Sequence, residues 1–229
     1  MIAIDFLGLT RLLQLASPAL PVGAYSYSQG LEAAIEDGMV KDAGSAGRWI
    51  RDILRFSVGS FEAPLLWRMS AALANGDIAE FRRWNTLFRA GRETAELRAE
   101  TLQMGHALSS LIHDLPFCSK RDLEKLRAID GLTFPAAFSF AAHHMGVDRH
   151  AALLAYVWSW AENQVMAALK AIPLGQSAGQ RMLAAIGAEL PEAAQRATQL
   201  GDDELSNFAP GLAIFSSRHE TQYSRLFRS

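Results

Sequence analysis

Apolar residues spaced three and four positions apart are the most constraining feature of this 229-residue sequence. Between residues 50 and 73 the spacing is carried by Ile50, Ile53, Leu54, Val58, Phe61, Leu65, Met69 and Leu73. It places these side chains on one face of an α-helix, whereas a half-buried strand would alternate apolar and polar residues. No segment alternates convincingly, and no repeat of fixed length is evident. The sequence therefore predicts an all-α protein, a single domain over residues 1–229 with about seven to ten helices.

Prolines, glycines and capping residues divide this pattern into helices. The first helix should end before Ser17, because a residue that precedes proline avoids the helical region. A long helix over about residues 45–73 should kink at Pro64, which has no backbone N–H. A second apolar stripe runs over residues 78–112. The helix over residues 148–172 is apolar on most sides, so it should lie at the centre of the bundle.

The second stripe contains two glycines and a charged stretch. Gly91 and Gly105 should let a neighbouring helix approach closely. The charged residues 92–100 are interpreted as a solvated face, in which Arg92 and Glu96 form a favourable pair one helical turn apart.

Composition excludes several classes of protein. The formal net charge is -2 and the pI is near 6.3, which does not predict a nucleic-acid-binding surface across the protein. The single cysteine, Cys118, excludes an internal disulfide framework and is compatible with a reducing cytosol. The N-terminal segment lacks the basic start of a signal peptide, and no apolar run is long enough to span a membrane. A cytoplasmic protein without membrane contacts is expected.

Two segments look unlike simple connectors. Residues 17–32, SPALPVGAYSYSQGLE, combine two prolines and two glycines with the aromatic Tyr25 and Tyr27. The tail, residues 205–229, mixes arginine and aromatic residues with proline, glycine and serine, and it is expected to be mobile when free. Tyrosine and arginine are enriched at the energetic centres of protein interfaces. These segments therefore predict an interaction protein.

No complete catalytic or metal-binding motif appears. His219-Glu220 lacks the second histidine, four residues on, that a zinc protease helix requires, because residue 223 is tyrosine. The glycine-containing corner PLGQSAGQ, residues 173–180, lacks the lysine of a phosphate-binding loop. We therefore expect no enzyme activity and no bound cofactor.

Two alternatives remain open at this point. A helical-bundle enzyme with a haem- or thiamin-type pocket would use His143, His144 or Cys118, and would need an internal cavity with convergent polar groups. A direct metallochaperone would instead carry its metal ion with His219 and Glu220 in the tail.

Five stretches, in order, carry a resemblance to a known family. They are LLQLASPALPVGAYSYSQGLEAAIEDG, LRAETLQMGHAL, LTFPAAFSFAAHHMGV, NQVMAALKAIPLGQSAGQRML and FAPGLAIFSSRHETQYSRLFRS. Together they resemble the UreF family of urease accessory proteins over nearly the whole chain. The resemblance implies an all-α homodimer that binds a UreD-type (UreH-type) accessory protein and, with it, recruits the nickel-carrying GTPase UreG. The complex would deliver nickel to apo-urease. The chain would act as scaffold and GTPase regulator, and nickel would pass through the complex.

The resemblance and residue chemistry together give eight candidate partner-binding residues. They are Tyr25, Tyr27, Glu32, Lys170, Gln176, Arg225, Phe227 and Arg228. The first three belong to the rigid segment, a recognition surface near the dimer contact in which one tyrosine is expected to pack under the next helix. The next two flank the PLGQ corner and would face the GTPase or apo-urease. The last three belong to the tail, which would order on the UreD-type partner.

Overall fold

Short polar side chains begin several helices of the computed structural model, which describes residues 5–229. Asp42, Asp77, Thr94 and Ser119 each accept a hydrogen bond from the backbone N–H three residues on. Asp148 accepts two such hydrogen bonds, from the backbone N–H groups of His150 and Ala151, at 3.0 Å each. These bonds satisfy donors that have no partner inside the helix.

The α-helices follow one another without any strand among residues 5–229, so the predicted all-α fold is confirmed. Their bounds are α1 Phe6–Leu15, α2 Leu31–Glu36, α3 Ala43–Ile53, α4 Ala63–Ala74, α5 Ile78–Ala90, α6 Ala95–Asp114, α7 Lys120–Arg127, α8 Phe134–His144, α9 Arg149–Ala171, α10 Gln176–Gly187, α11 Leu190–Ala197 and α12 Pro210–His219. Short 3-10 turns lie at Ala24–Ser26 and Asp202–Glu204, and a π-helical segment spans Leu54–Glu62.

Near Pro64, where a kink was predicted, the chain changes from a π-helix to an α-helix. The π-helical segment Leu54–Glu62 separates α3 from α4, and Pro64 lies in the first turn of α4. Proline brings no N–H to the helix, and its ring crowds the carbonyl four residues earlier. That carbonyl, of Ser60, instead accepts a hydrogen bond at 3.0 Å from the backbone N–H of Ser206. The helix break therefore provides an attachment point for the later chain.

The second stripe is divided into α5 and α6 between Gly91 and Thr94. The predicted close approaches at its glycines are confirmed. A side chain at Gly91 would overlap the ring of Phe61, and one at Gly105 would lie 2.8 Å from the backbone carbon of Thr133, where the chain enters α8.

Helix α9 lies at the centre of the bundle, as predicted, and packs against α2, α3, α4, α8, α10 and α11. Its buried side chains include Leu153, Val157 and Val165. Helix α8 is buried over most of its length and packs on α4, α6 and α9. These helices form the rigid support for the surface described below.

The tail packs on the bundle. Helix α12 contacts α2 and α6, and Leu212, Phe215, His219 and Phe227 are all buried. The prediction of a mobile tail is therefore not confirmed. The sequence of the tail alone could not show that distant helices form a buried site for these residues.

Among residues 5–229, no helix combines the length and the hydropathy that crossing a membrane requires. The first four residues of the N-terminal segment, on which the absence of a signal peptide was partly argued, lie outside the described residues.

Candidate functional site

The tail returns to the rigid segment through backbone hydrogen bonds. The N–H groups of Ser28 and Gln29 both donate to the carbonyl oxygen of Ser229, at 2.6 and 3.1 Å, and the N–H of Arg228 donates to Ser26 at 2.7 Å. Gln29 adopts a left-handed backbone with φ of 54°, which only a minority of non-glycine residues do. The two segments that stood out in the sequence therefore form one structural unit.

Gly30 allows this unit to close. Its φ is 75°, and a side chain there would lie 2.8 Å from the backbone nitrogen of Ser216 in α12. Glycine adopts this backbone conformation readily and has no side chain to collide with Ser216. Helix α12 can therefore lie directly against the start of α2.

Glu32 holds the last residues of the tail. Its two carboxylate oxygens accept hydrogen bonds from the backbone N–H groups of Leu226, at 2.7 Å, and Phe227, at 3.0 Å. One of them also lies 3.1 Å from Nε2 of His219. Hydrogen bonds to an ionised acceptor are about twice as strong as neutral ones, so Glu32 is the main polar anchor of the tail.

His219 lies between two carboxylates. Its Nδ1 is 2.7 Å from Glu96 and its Nε2 is 3.1 Å from Glu32, and its side chain is fully buried. Glu96 also accepts from Nη1 of Arg225 at 2.7 Å. Both ring nitrogens of His219 therefore lie within hydrogen-bond distance of a carboxylate oxygen. We call Glu32, Glu96, His219 and Arg225 the tail clamp.

The clamp does not have the geometry of a metal site. Glu96 contacts one ring nitrogen of His219 and Glu32 contacts the other. Because the ring separates the two carboxylates, they cannot both bind the same metal ion together with His219. Glu220 accepts from the backbone N–H groups of Ala95 and Glu96 and thereby caps α6. Within residues 5–229, no group of three or more potential ligand side chains could hold a metal ion.

Seven of the eight candidate residues meet at this unit. The side chain of Lys170 lies 3.4 Å from the Tyr25 carbonyl oxygen and within about 5.5 Å of the ring centres of Tyr25 and Phe227. Tyr25 is 63% exposed, whereas Phe227 is buried. Gln176 is exposed at the start of α10, and no hydrogen bond or ion pair of the described residues joins it to the other seven.

Of the two tyrosines in the rigid segment, Tyr27 is the one inside the fold, where it contacts α6 and not the following helix. It is buried, and its hydroxyl donates to the side chain of Gln103 at 2.7 Å. Burial, and next the charge of Glu100, raise its pKa, while a hydrogen bond and charge from Arg228 lower it. Tyr27 and Glu32 therefore support the surface from below. Its outer face is formed by Tyr25, Lys170, Tyr223, Arg225, Leu226 and Arg228, which we call the tail surface.

Residues 92–100 form only part of the expected solvated face: Glu93 and Arg98 are exposed, but the predicted pair of Arg92 with Glu96 does not form. Arg92 is 4% exposed and pairs with the buried Glu62 at 2.8 Å, and the hydroxyl of Tyr156 donates to the other oxygen of Glu62 at 3.0 Å. Glu100 is buried as well. Completing the stripe of α6 from Leu97, Met104, Leu108 and Ile112 would have placed Glu100 on the buried side. That spacing is the signal in the sequence that could have located these residues.

A cavity of about 190 Å³ leads from the tail surface to this buried pair. Tyr25, Met166 and Lys170 line its outer part, and Glu62, Arg92, Glu100 and Tyr156 line its inner part. We call it the inner cavity. Glu100 accepts from the side chains of Gln29, at 2.7 Å, and Ser229, at 2.9 Å, so one carboxyl group contacts both the cavity and the tail.

The groups proposed for a helical-bundle enzyme lie elsewhere. Burial and the nearby Asp122 raise the pKa of the Cys118 thiol to about 11, so it is protonated at neutral pH. Burial, and next the charge of His143, lower the pKa of His144. Neither histidine nor the cysteine lines the inner cavity.

Comparison with known proteins identifies the family. The UreF family model matches residues 40–187. The chain belongs to the UreF family. Among curated relatives, the urease accessory protein UreF of Azoarcus sp. (strain BH72) is 57% identical, with 97% of this chain and 96% of the relative covered. The UreF of Janthinobacterium sp. (strain Marseille) is 53% identical, covering 96% of this chain and 98% of the relative.

The family assignment agrees with the resemblance seen in the sequence, and it extends to both segments of the tail surface. The UreF of Dechloromonas aromatica (strain RCB) is 52% identical and covers 97% of this chain. The family-model match spans helices α3 to α10 entirely, whereas the rigid segment and the tail lie outside it and within the broader likeness to the relatives.

Proposed function

We propose that this UreF-family chain is a scaffold of urease maturation, which binds a UreD-type accessory protein and a UreG-type GTPase and regulates GTP hydrolysis during nickel delivery to apo-urease. In this proposal it works in the cytoplasm as a homodimer and has no catalytic site of its own. Nickel is cargo of the complex.

One observation carries the proposal: the tail surface. Two segments nearly 200 residues apart in sequence form one face with two exposed tyrosines and two exposed arginines. Its framework is fixed from below by the tail clamp. A preorganised aromatic and basic face binds with a smaller loss of conformational entropy than a disordered tail, which favours a docking role.

The test is equilibrium binding of the purified chain to a UreD-type protein, followed by recruitment of a UreG-type GTPase. The double variant Tyr25→Ala with Leu226→Ala removes two exposed side chains. It should weaken UreD-type binding by at least about tenfold, the usual loss when interface aromatic anchors are truncated. Lys170→Glu, at the other edge, should weaken recruitment of the GTPase.

Lys120→Glu is the matched control, because Lys120 is exposed at the start of α7, away from the tail surface. Unchanged binding by both tail-surface variants would contradict the assignment of this face. Truncation after Asn207 would be a poorer test, because it also removes the buried Phe215 and His219 from the fold.

A further inference from the structure

At its inner end the cavity reaches Arg92, whose guanidinium group has hydrogen-bond donors without a partner along one edge. Nη1 of Arg92 donates to Glu62 at 2.8 Å, but Nε and Nη2 are buried and have no hydrogen-bond partner. These two groups form one side of the planar guanidinium, the arrangement that binds two lone pairs of a planar acceptor. A buried donor without a partner costs free energy, so this edge favours a bound acceptor.

The arginine is held firmly in place. Its guanidinium carbon lies 4.5 Å from the centre of the Phe88 ring, and its other edge is fixed by Glu62, which the hydroxyl of Tyr156 holds in turn. A side chain oriented from two sides presents its remaining donors in a fixed direction, as binding sites require.

The charges around the cavity decide which acceptor fits. Arg92 is already neutralised by Glu62. Burial raises the pKa of Glu100 to about 7, and the charge of Glu62 raises it more than Arg92 lowers it. The inner end holds two carboxyl groups and one guanidinium, which disfavours an anion, while the free donors of Arg92 disfavour a cation. The carboxyl groups of Glu62 and Glu100 can in addition accept hydrogen bonds.

We propose that the inner cavity is a binding site for a small neutral planar carbonyl compound of the primary amide class, whose oxygen accepts from Nε and Nη2 of Arg92 and whose N–H groups donate to the neighbouring carboxyl groups. The cavity volume of about 190 Å³ accommodates a molecule of several non-hydrogen atoms. The proposal rests on the buried inner end of the cavity and does not require the proposed partner role, although the cavity opens at the tail surface.

Three molecules of the same shape and different charge test the assignment: acetamide, acetate and acetamidinium. Each is titrated into the ¹⁵N-labelled full chain at constant ionic strength. The signals followed are Nε–H of Arg92 and the indole N–H of Trp160, which lines the cavity and donates to Gln29 at 2.8 Å. Acetamide should shift both saturably, and the two ions should bind at least about fivefold more weakly, the effect of one unmet buried polar group.

Two variants locate the effect. Arg92→Lys keeps a positive charge for Glu62 and removes the planar pair of donors, so it should abolish the acetamide shifts of the Trp160 signal. Ala167→Leu fills the cavity from α9 and leaves Arg92 intact, so it tests the site if Arg92→Lys does not fold. Lys120→Ala is the control and should bind acetamide as the parent chain does.

The proposal is overturned by shifts that never saturate, by acetate or acetamidinium binding as tightly as acetamide, or by acetamide shifts that persist in a folded cavity variant. Tighter binding of acetate would make the cavity an anion site, and tighter binding of acetamidinium would make it a cation site.

Discussion

At the scale of single residues, Glu32 determines whether the tail stays on the bundle. It is nearly buried and accepts from two tail N–H groups while facing His219. Glu32→Ala should lower the free energy of unfolding by about 2–4 kcal/mol, because two charge-assisted hydrogen bonds are lost and a buried imidazole loses one carboxylate. Chemical denaturation measures this loss.

Hydrogen exchange at residues 226 and 227 should rise in the same variant, since their N–H groups lose their acceptor. Glu36→Ala provides the comparison, because Glu36 is exposed on the same helix, and its effect should stay within about 0.5 kcal/mol. Tail amides that exchange equally fast in both variants would show that Glu32 does not hold the tail.

Glu100 should make stability depend on pH. Its carboxyl titrates near 4.5 when unfolded and at about 7 when folded, chiefly because it is buried. Between these values the folded chain binds more protons than the unfolded chain, so the contribution of Glu100 to stability falls as pH rises and is constant above about 7. Glu100→Gln should remove this slope.

The amide of Glu100→Gln can still accept from Gln29 and donate to Ser229, so the contacts are preserved. Relative to the parent chain, the variant should gain roughly 2–3 kcal/mol between about pH 5 and about pH 8. Parallel stability curves for the two proteins over this range would show that Glu100 titrates normally in the fold.

At the scale of helices, close packing of α6 against the chain entering α8 depends on Gly105. Gly105→Ala would place a carbon 2.8 Å from the backbone carbon of Thr133, where no flexible side chain can move away. We expect a loss of about 2–4 kcal/mol in denaturation experiments.

Gly44→Ala is the opposite case, at an exposed position in the first turn of α3, where the nearest atom to the added carbon lies at 3.4 Å. It should be neutral or stabilise by up to about 1 kcal/mol, because alanine loses less backbone entropy on folding. Equal effects of the two substitutions would contradict the packing explanation.

Helix periodicity predicted most of the elements because each depends on residues close in sequence. The Asp148 cap and the apolar faces of α9 are of this kind. The tail was predicted less well, because the burial of Phe227 depends on Glu32 and Ser28, which are about 200 residues away. The buried pair of Arg92 and Glu62 was missed because these residues lie 30 positions apart, on different helical segments.

At the scale of the whole molecule, the apolar core is continuous from Leu15 to Phe227. One cooperative unfolding transition is therefore expected, as for a single domain. Far-UV circular dichroism, which reports helices, and near-UV circular dichroism, which reports aromatic packing, should give the same denaturation midpoint. Two separate midpoints would show that the tail and the rest of the bundle fold independently.

The carbonyl that Pro64 leaves free, at Ser60, receives its donor from Ser206, and the N–H groups of Ser28 and Gln29 receive their acceptor from Ser229. During synthesis the N-terminal partners emerge from the ribosome first and remain without these bonds until the distant residues follow. The tail surface is therefore assembled last. A nascent or truncated chain would lack the tail surface, so a partner that docked there, as proposed, would distinguish finished chains from incomplete ones.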